Sequence, residues 1–114
     1  MHFVFKRKIL IFATKVKIKN DIFNISQDIK DELITFGYNY ESFSMSNILY
    51  WLRTEQDIYV YPINEFHNRE GEVVWSCGVY VPYSYVKVVG KKLDFEKTII
   101  EGIKESLRII KKTI

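Results

Sequence analysis

The amino-acid sequence predicts an α+β fold. Two short helices come first, then a three-stranded antiparallel sheet (four-stranded if the N-terminal segment adds to it), closed by a C-terminal amphipathic helix packed on one sheet face. Three observations predict it. Apolar residues recur at helical spacing between Ser26 and Thr54, alternate with a period of two between Ile58 and Val89, and return to helical spacing after Asp94. Strands grouped between helices, without a repeating strand–helix order, point to a sheet covered by helices and not to a parallel sheet.

Each element carries its own signals. Ile25, Ile29, Leu33 and Phe36 fall on one helical stripe, Ser26 is placed to cap its start and Gly37 to end it, so a helix is expected over about 26–36. Ser44 is a second N-cap, before the stripe Met45, Ile48, Leu49 and Leu52, and this helix should run to about Thr54. The intervening Tyr38-Asn39-Tyr40-Glu41-Ser42-Phe43 is expected to pack down as an aromatic loop. Ile58–Ile63 is rich in β-branched and aromatic residues, but Pro62 cannot donate a ladder hydrogen bond, so this strand should be an edge or should bulge at Pro62.

His67-Asn68-Arg69-Glu70-Gly71 is expected to form a hairpin turn. Val73, Trp75, Cys77, Val79 and Val81 then alternate onto one face, the strongest strand in the chain. Pro82 breaks it, and Tyr83–Val89 follows either through a tight turn or after a kink. In the last helix Asp94 is the cap, Ile99, Ile103, Leu107, Ile110 and Ile114 form the apolar stripe, and Lys97, Glu101, Lys104, Glu105, Arg108 and Lys111 oppose it. Rows Glu101/Glu105 and Lys104/Arg108 suggest i,i+4 ion pairs on a solvated face. The expected core is Trp75, Val79, Ile99, Ile103 and Leu107.

The chain's 114 residues suffice for one core without metals or disulfides. Residues 1–21 are expected to form a basic arm or edge strand and residues 22–114 a single α+β domain. The alternation Thr14-Lys15-Val16-Lys17-Ile18-Lys19 is that of a half-buried strand whose lysines would discourage foreign pairing. That segment could join the chain's own sheet, or it or a sheet edge could build a homodimer. The net charge of +3 is unevenly spread: residues 1–19 hold six Lys/Arg and no acid, residues 20–90 four against ten, and residues 91–114 seven against four. A single cysteine excludes an internal disulfide and fits a reducing, cytoplasmic compartment. After Lys6-Arg7-Lys8 the apolar run lasts five residues before lysines intervene, too short for an export signal, and no stretch reaches the roughly 20 apolar residues of a membrane span. A soluble protein is expected.

The chain lacks the residue patterns of known catalytic chemistry. His2 and His67 are far apart and outside any zinc spacing, Cys77 sits on the apolar face of a strand as a buried thiol, and the five glycines make no phosphate-cradling loop. The carboxylate pairs Glu70/Glu72 and Glu101/Glu105 are expected to be hydrated and to titrate normally. No cofactor or metal is expected. The unusual feature is the aromatic share, 16%, with eight Tyr and eight Phe. Tyr59, Tyr61, Tyr80, Tyr83 and Tyr85 crowd the predicted sheet, largely opposite its apolar face, as a binding face for a protein or for unpaired bases. Lys6, Arg7, Lys8, Lys15, Lys17, Lys19, Lys91 and Lys92 are the candidate phosphate contacts. The acidic balance of residues 20–90 weighs against nucleic acid. A non-catalytic binding or regulatory module acting through protein contact is therefore expected, with a nucleic-acid-binding domain that uses the basic arm and the tyrosines as the alternative.

The helix–three strands–helix order invites comparison with double-stranded RNA-binding domains, with Gly90-Lys91-Lys92 as a basic anchor. Asp94 and Glu96, however, stand in the first helical turn where those domains place lysines. Over about residues 22–112 the chain resembles a set of small proteins from gut Bacteroidetes and their phages. The matching pieces are Ile29-Lys30-Asp31-Glu32-Leu33 ending at Gly37, Ile48-Leu49-Tyr50-Trp51-Leu52-Arg53 followed by Ile58-Tyr59-Val60, and Asp94-Phe95-Glu96-Lys97-Thr98. The resemblance implies an origin in a phage or mobile element and carries no activity with it.

Overall fold

A computed structural model describes residues 23–67, 71–92 and 94–113. The element order is α1 (Gln27–Thr35), α2 (Met45–Glu55), β1 (Tyr59–His67), β2 (Val73–Val81), β3 (Tyr85–Lys92) and α3 (Phe95–Thr113). The strands form a three-stranded antiparallel sheet in the order β1-β2-β3, and α3 packs against it, so the α+β architecture is as the periodicity predicts. The alternating segment 14–19, the arm–domain boundary at 21–22 and turn residues 68–70 lie outside the described residues. By its contacts the chain divides into two compact units, one ending at Ile48 and the other starting at Leu49, so that α2 begins in the first and continues in the second.

In the first unit the capping residues do what their chemistry suits them for. Ser26 Oγ accepts a hydrogen bond from Ile29 N–H at 3.3 Å and starts α1. Gly37, at φ 105°, lets the chain turn so that Tyr38 N–H returns to the Leu33 carbonyl at 2.8 Å. Ser44 Oγ accepts from Asn47 N–H at 3.1 Å and starts α2. The aromatic loop between them is packed as expected. Tyr38 is buried, stacks on Tyr40 and on Phe43 with centroids 5.2 Å apart in both pairs, and donates its hydroxyl to the Ser42 carbonyl at 2.5 Å.

In the second unit β1 is an edge strand, as Pro62 requires, yet it does not bulge there. Pro62 stays in register opposite Cys77, and the register shifts later, between Glu65 and His67. The strand thus runs beyond the expected Ile63 to His67, the first residue of the expected turn, because pairing with β2 overrides the weak strand preference of Asn64-Glu65. Gly71 has a positive φ, 83°, which glycine adopts without strain. Pro82 marks a tight turn: Ser84 N–H bonds the Val81 carbonyl at 3.1 Å and β3 returns antiparallel.

Asp94 Oδ1 accepts from Lys97 N–H at 3.1 Å and caps α3. Val79, Ile99, Ile103 and Leu107 are buried as expected. Trp75 is only half-buried and meets Phe95 edge-on at 4.9 Å. Cys77, Thr98 and Ser106 are fully buried around the point where α3 crosses β2 at Gly102. A Cβ placed on Gly102 would stand 2.4 Å from Cys77 Sγ and 2.9 Å from Val60 Cγ1, so only glycine permits this approach.

Candidate functional site

Directly opposed residues of an antiparallel sheet share a face, so the register sorts the candidate side chains. Tyr59 opposes Tyr80, which opposes Val86, and Tyr61 opposes Gly78, which opposes Val88. These residues form the face turned away from α3. The opposite face, on which Gly102 closes over Cys77 and Val60, holds Val79, Lys87, Val89, Val81 and Tyr85.

Of the five tyrosines singled out by the sequence, the fold gathers three. Tyr59 and Tyr80 lie with centroids 6.0 Å apart at 56°, and the Tyr61 ring covers Gly78, where a Cβ would come within 2.3 Å of its Cζ. All three rings keep about two-fifths of their surface exposed, and Val86 and Val88 beside them are 63% and 53% exposed. Val86 and Val88 were legible as alternate positions of a predicted strand but are small enough to be passed over as ordinary sheet formers. The remaining two tyrosines belong elsewhere. Tyr83 is fully exposed at the tip of the β2–β3 turn, and Tyr85 points to the helix side.

There Tyr85 meets a polar cluster that the helical pattern hid. Tyr85 donates its hydroxyl to Glu105 Oε2 at 2.5 Å. Arg108 bonds both oxygens of the same carboxylate and reaches the Tyr85 hydroxyl at 3.1 Å, and Lys87 Nζ stands 3.7 Å from Oε1. Glu105 is therefore buried, contrary to its expected place on a solvated face with ordinary titration. The Arg108 hydrogen bonds, against the opposing effect of burial, hold its carboxyl down at about 2, and Tyr85, donating to that carboxylate, is raised above its usual value. The ion pairs on α3 are also one residue closer than expected: Lys104–Glu101 at 3.7 Å and Arg108–Glu105 are both i,i+3. Every member of the cluster has a partner, and the cluster ties β3 to α3.

Lys91 and Lys92 are exposed at the end of β3, while Lys6, Arg7, Lys8, Lys15, Lys17, Lys19 and His2 lie outside the described residues. His67 ends β1, paired through its backbone with Val73. The buried Cys77 thiol is pushed up to about 11 by desolvation, partly opposed by a backbone hydrogen bond from Tyr61, and is thereby kept protonated and unreactive. Among the described residues no His, Cys, Asp and Glu side chains cluster to hold a metal, and no helix is long and apolar enough to cross a membrane. Comparison of the chain with family models, curated proteins and solved structures finds no match.

Proposed function

We propose that this protein is a non-catalytic binding or regulatory module that acts through contact with another protein, with the open sheet face as its contact surface. The observation that carries this reading is the juxtaposition of Tyr59, Tyr61 and Tyr80 with Val86 and Val88, five exposed apolar or aromatic side chains without a charge among them. Contiguous surfaces of this kind mark interaction sites, and Tyr is enriched in them because its ring buries area while its hydroxyl stays paired. An origin in a phage or mobile element rests on the resemblance described above.

A second reading, single-stranded nucleic acid stacked on the three rings, is favoured by their gathering on one face. Two experiments separate them. Affinity capture from the native host should retain a protein partner with the parent chain and lose it with Tyr80→Thr/Val86→Thr, a change that preserves strand preference. Fluorescence anisotropy against single- and double-stranded DNA and RNA should show no binding at about micromolar protein; binding in that range that weakens steeply with salt establishes the nucleic-acid reading instead.

A further inference from the structure

The sheet has two edges, and they differ in what they offer. Each edge carries a register shift, between Glu65 and His67 on β1 and between Val89 and Lys92 on β3, but only β1 also holds a proline, Pro62, which has no N–H to give and blunts that edge. Among the described residues β3 pairs with β2 alone, and its sequence Tyr85-Val86-Lys87-Val88-Val89-Gly90-Lys91-Lys92 carries three lysines and no acid. The apolar and basic side chains are divided between its faces. Val86 and Val88 are exposed on the open face, whereas Lys87, about half-exposed, stands on the helix face beside Glu105. Glu105 does not neutralise that site, because Arg108 shares the same carboxylate and the cluster keeps one net positive charge.

We propose that the β3 edge receives an extended segment of a partner protein that alternates apolar and acidic residues, adding a fourth strand to the sheet. This proposal rests on the protein-binding reading above and specifies the partner. Strand addition draws affinity from the edge backbone and selectivity from alternate side chains. Apolar residues of the incoming strand extend the Val86/Val88 face, and its acids fall beside Lys87 and Lys92, the latter opposite Trp75 in the register. Charge disfavours the nearest alternative: a second β3 pairing with the first would bring six lysines and no acid together, a repulsive cross-strand arrangement. A nucleic-acid strand would satisfy the lysines but leave Val86 and Val88 uncovered.

The test titrates the full chain with a fluorescein-labelled peptide of about ten residues alternating valine and glutamate, long enough to span β3. Three comparison probes are used: the same peptide with lysine for glutamate, the acidic peptide N-methylated at every second amide, and a thymidine oligonucleotide. Binding of the acidic peptide at about micromolar concentration, weakened at least about tenfold by lysine substitution and by N-methylation, is expected. Lys91→Glu/Lys92→Glu should invert the preference between acidic and basic peptides with an unchanged circular dichroism spectrum. Should that variant fold poorly, amide hydrogen exchange of the parent chain decides: the peptide should slow exchange in β3 and leave β1 unchanged. Equal binding of the acidic and basic peptides, tolerance of N-methylation, protection of β1 in place of β3, or binding of the oligonucleotide alone overturns the proposal. If the peptides fail while capture of a host protein still depends on Tyr80 and Val86, the edge proposal falls and the protein-binding reading stands; loss of both removes both.

Discussion

The Tyr85 hydroxyl and the Glu105 carboxylate meet at 2.5 Å across twenty residues of chain, and this bond, with Arg108 on the same carboxylate, fastens β3 to α3. Among the described residues β3 pairs with β2 alone, so without α3 on its inner face a single ladder would hold it. The cluster is therefore a structural clamp on the strand whose outer edge is proposed to bind.

The clamp predicts acid sensitivity of a defined sign. Glu105 would ordinarily titrate near 4.5 and is held at about 2 in the folded chain, so the folded state binds fewer protons than the unfolded state between those values. Its contribution is complete above 4.5 and is lost as the pH falls towards 2. Glu105→Gln should lower the melting temperature at neutral pH and flatten its decline between pH 5 and pH 2.5. Tyr85→Phe should flatten it less, because the Arg108 bonds outrank the tyrosine's in lowering the carboxyl. Melting curves for the three proteins across that range are the check, and parallel declines would show that Glu105 is not the group responsible.

Leu107 is 2% exposed on the sheet-facing side of α3. Leu107→Ala should cost about 2–5 kcal/mol in urea unfolding, the range for a buried leucine that leaves a cavity. A midpoint equal to the parent's would mean that α3 is not packed on the sheet in solution.

Gly102 makes a counter-intuitive case. Alanine in a helix interior ordinarily stabilises by about 1 kcal/mol, yet here its Cβ would press on Cys77 Sγ and Val60 Cγ1, which belong to two different strands and cannot both yield cheaply. Overpacking of this kind costs about 1–3 kcal/mol, so Gly102→Ala should destabilise. Cys77→Ala/Gly102→Ala should recover part of the loss, since the nearer of the two atoms is gone. A double-mutant cycle in urea measures this coupling, and strict additivity would contradict the close approach.

Much of this architecture was legible because it rests on local chemistry. Ser26, Ser44 and Asp94 cap helices wherever their side chains reach the next free N–H, and the alternation of Val73–Val81 survives because one face is covered by α3. What depends on register was not legible. Tyr85 continues the run Tyr59, Tyr61 and Tyr80 only in composition; its pairing with Val81 turns it to the other face. Glu105 reads as a surface residue on the helical wheel, and only the position of β3 beside α3 adds Tyr85 and Lys87 to its helix neighbour Arg108. Gly102 had one available signal, a glycine interrupting a helix of good formers at the position four before Ser106 on the buried stripe, where small residues mark a close crossing.

The β2–β3 turn stores a conformational cost. Pro82 occupies the second position and Tyr83 the third, with φ 65°, and Ser84 N–H closes on the Val81 carbonyl at 3.1 Å. A turn with Pro followed by a left-handed residue favours glycine at that third position, because a Cβ there crowds the backbone. A non-glycine residue held so costs about 1–3 kcal/mol, part of which glycine would give back through its greater freedom in the unfolded chain. The Tyr83 ring, fully exposed, makes no compensating burial. Tyr83→Gly should therefore stabilise the protein by up to about 1 kcal/mol, a rise of about 4 °C in melting temperature for a chain of this size. The same variant separates two roles for this tyrosine. If capture of the host partner is unchanged while the melting temperature rises, Tyr83 is only a strained turn residue; if the melting temperature rises and capture is lost, the strain is retained because the ring takes part in binding, and the contact surface extends from the open sheet face to the turn.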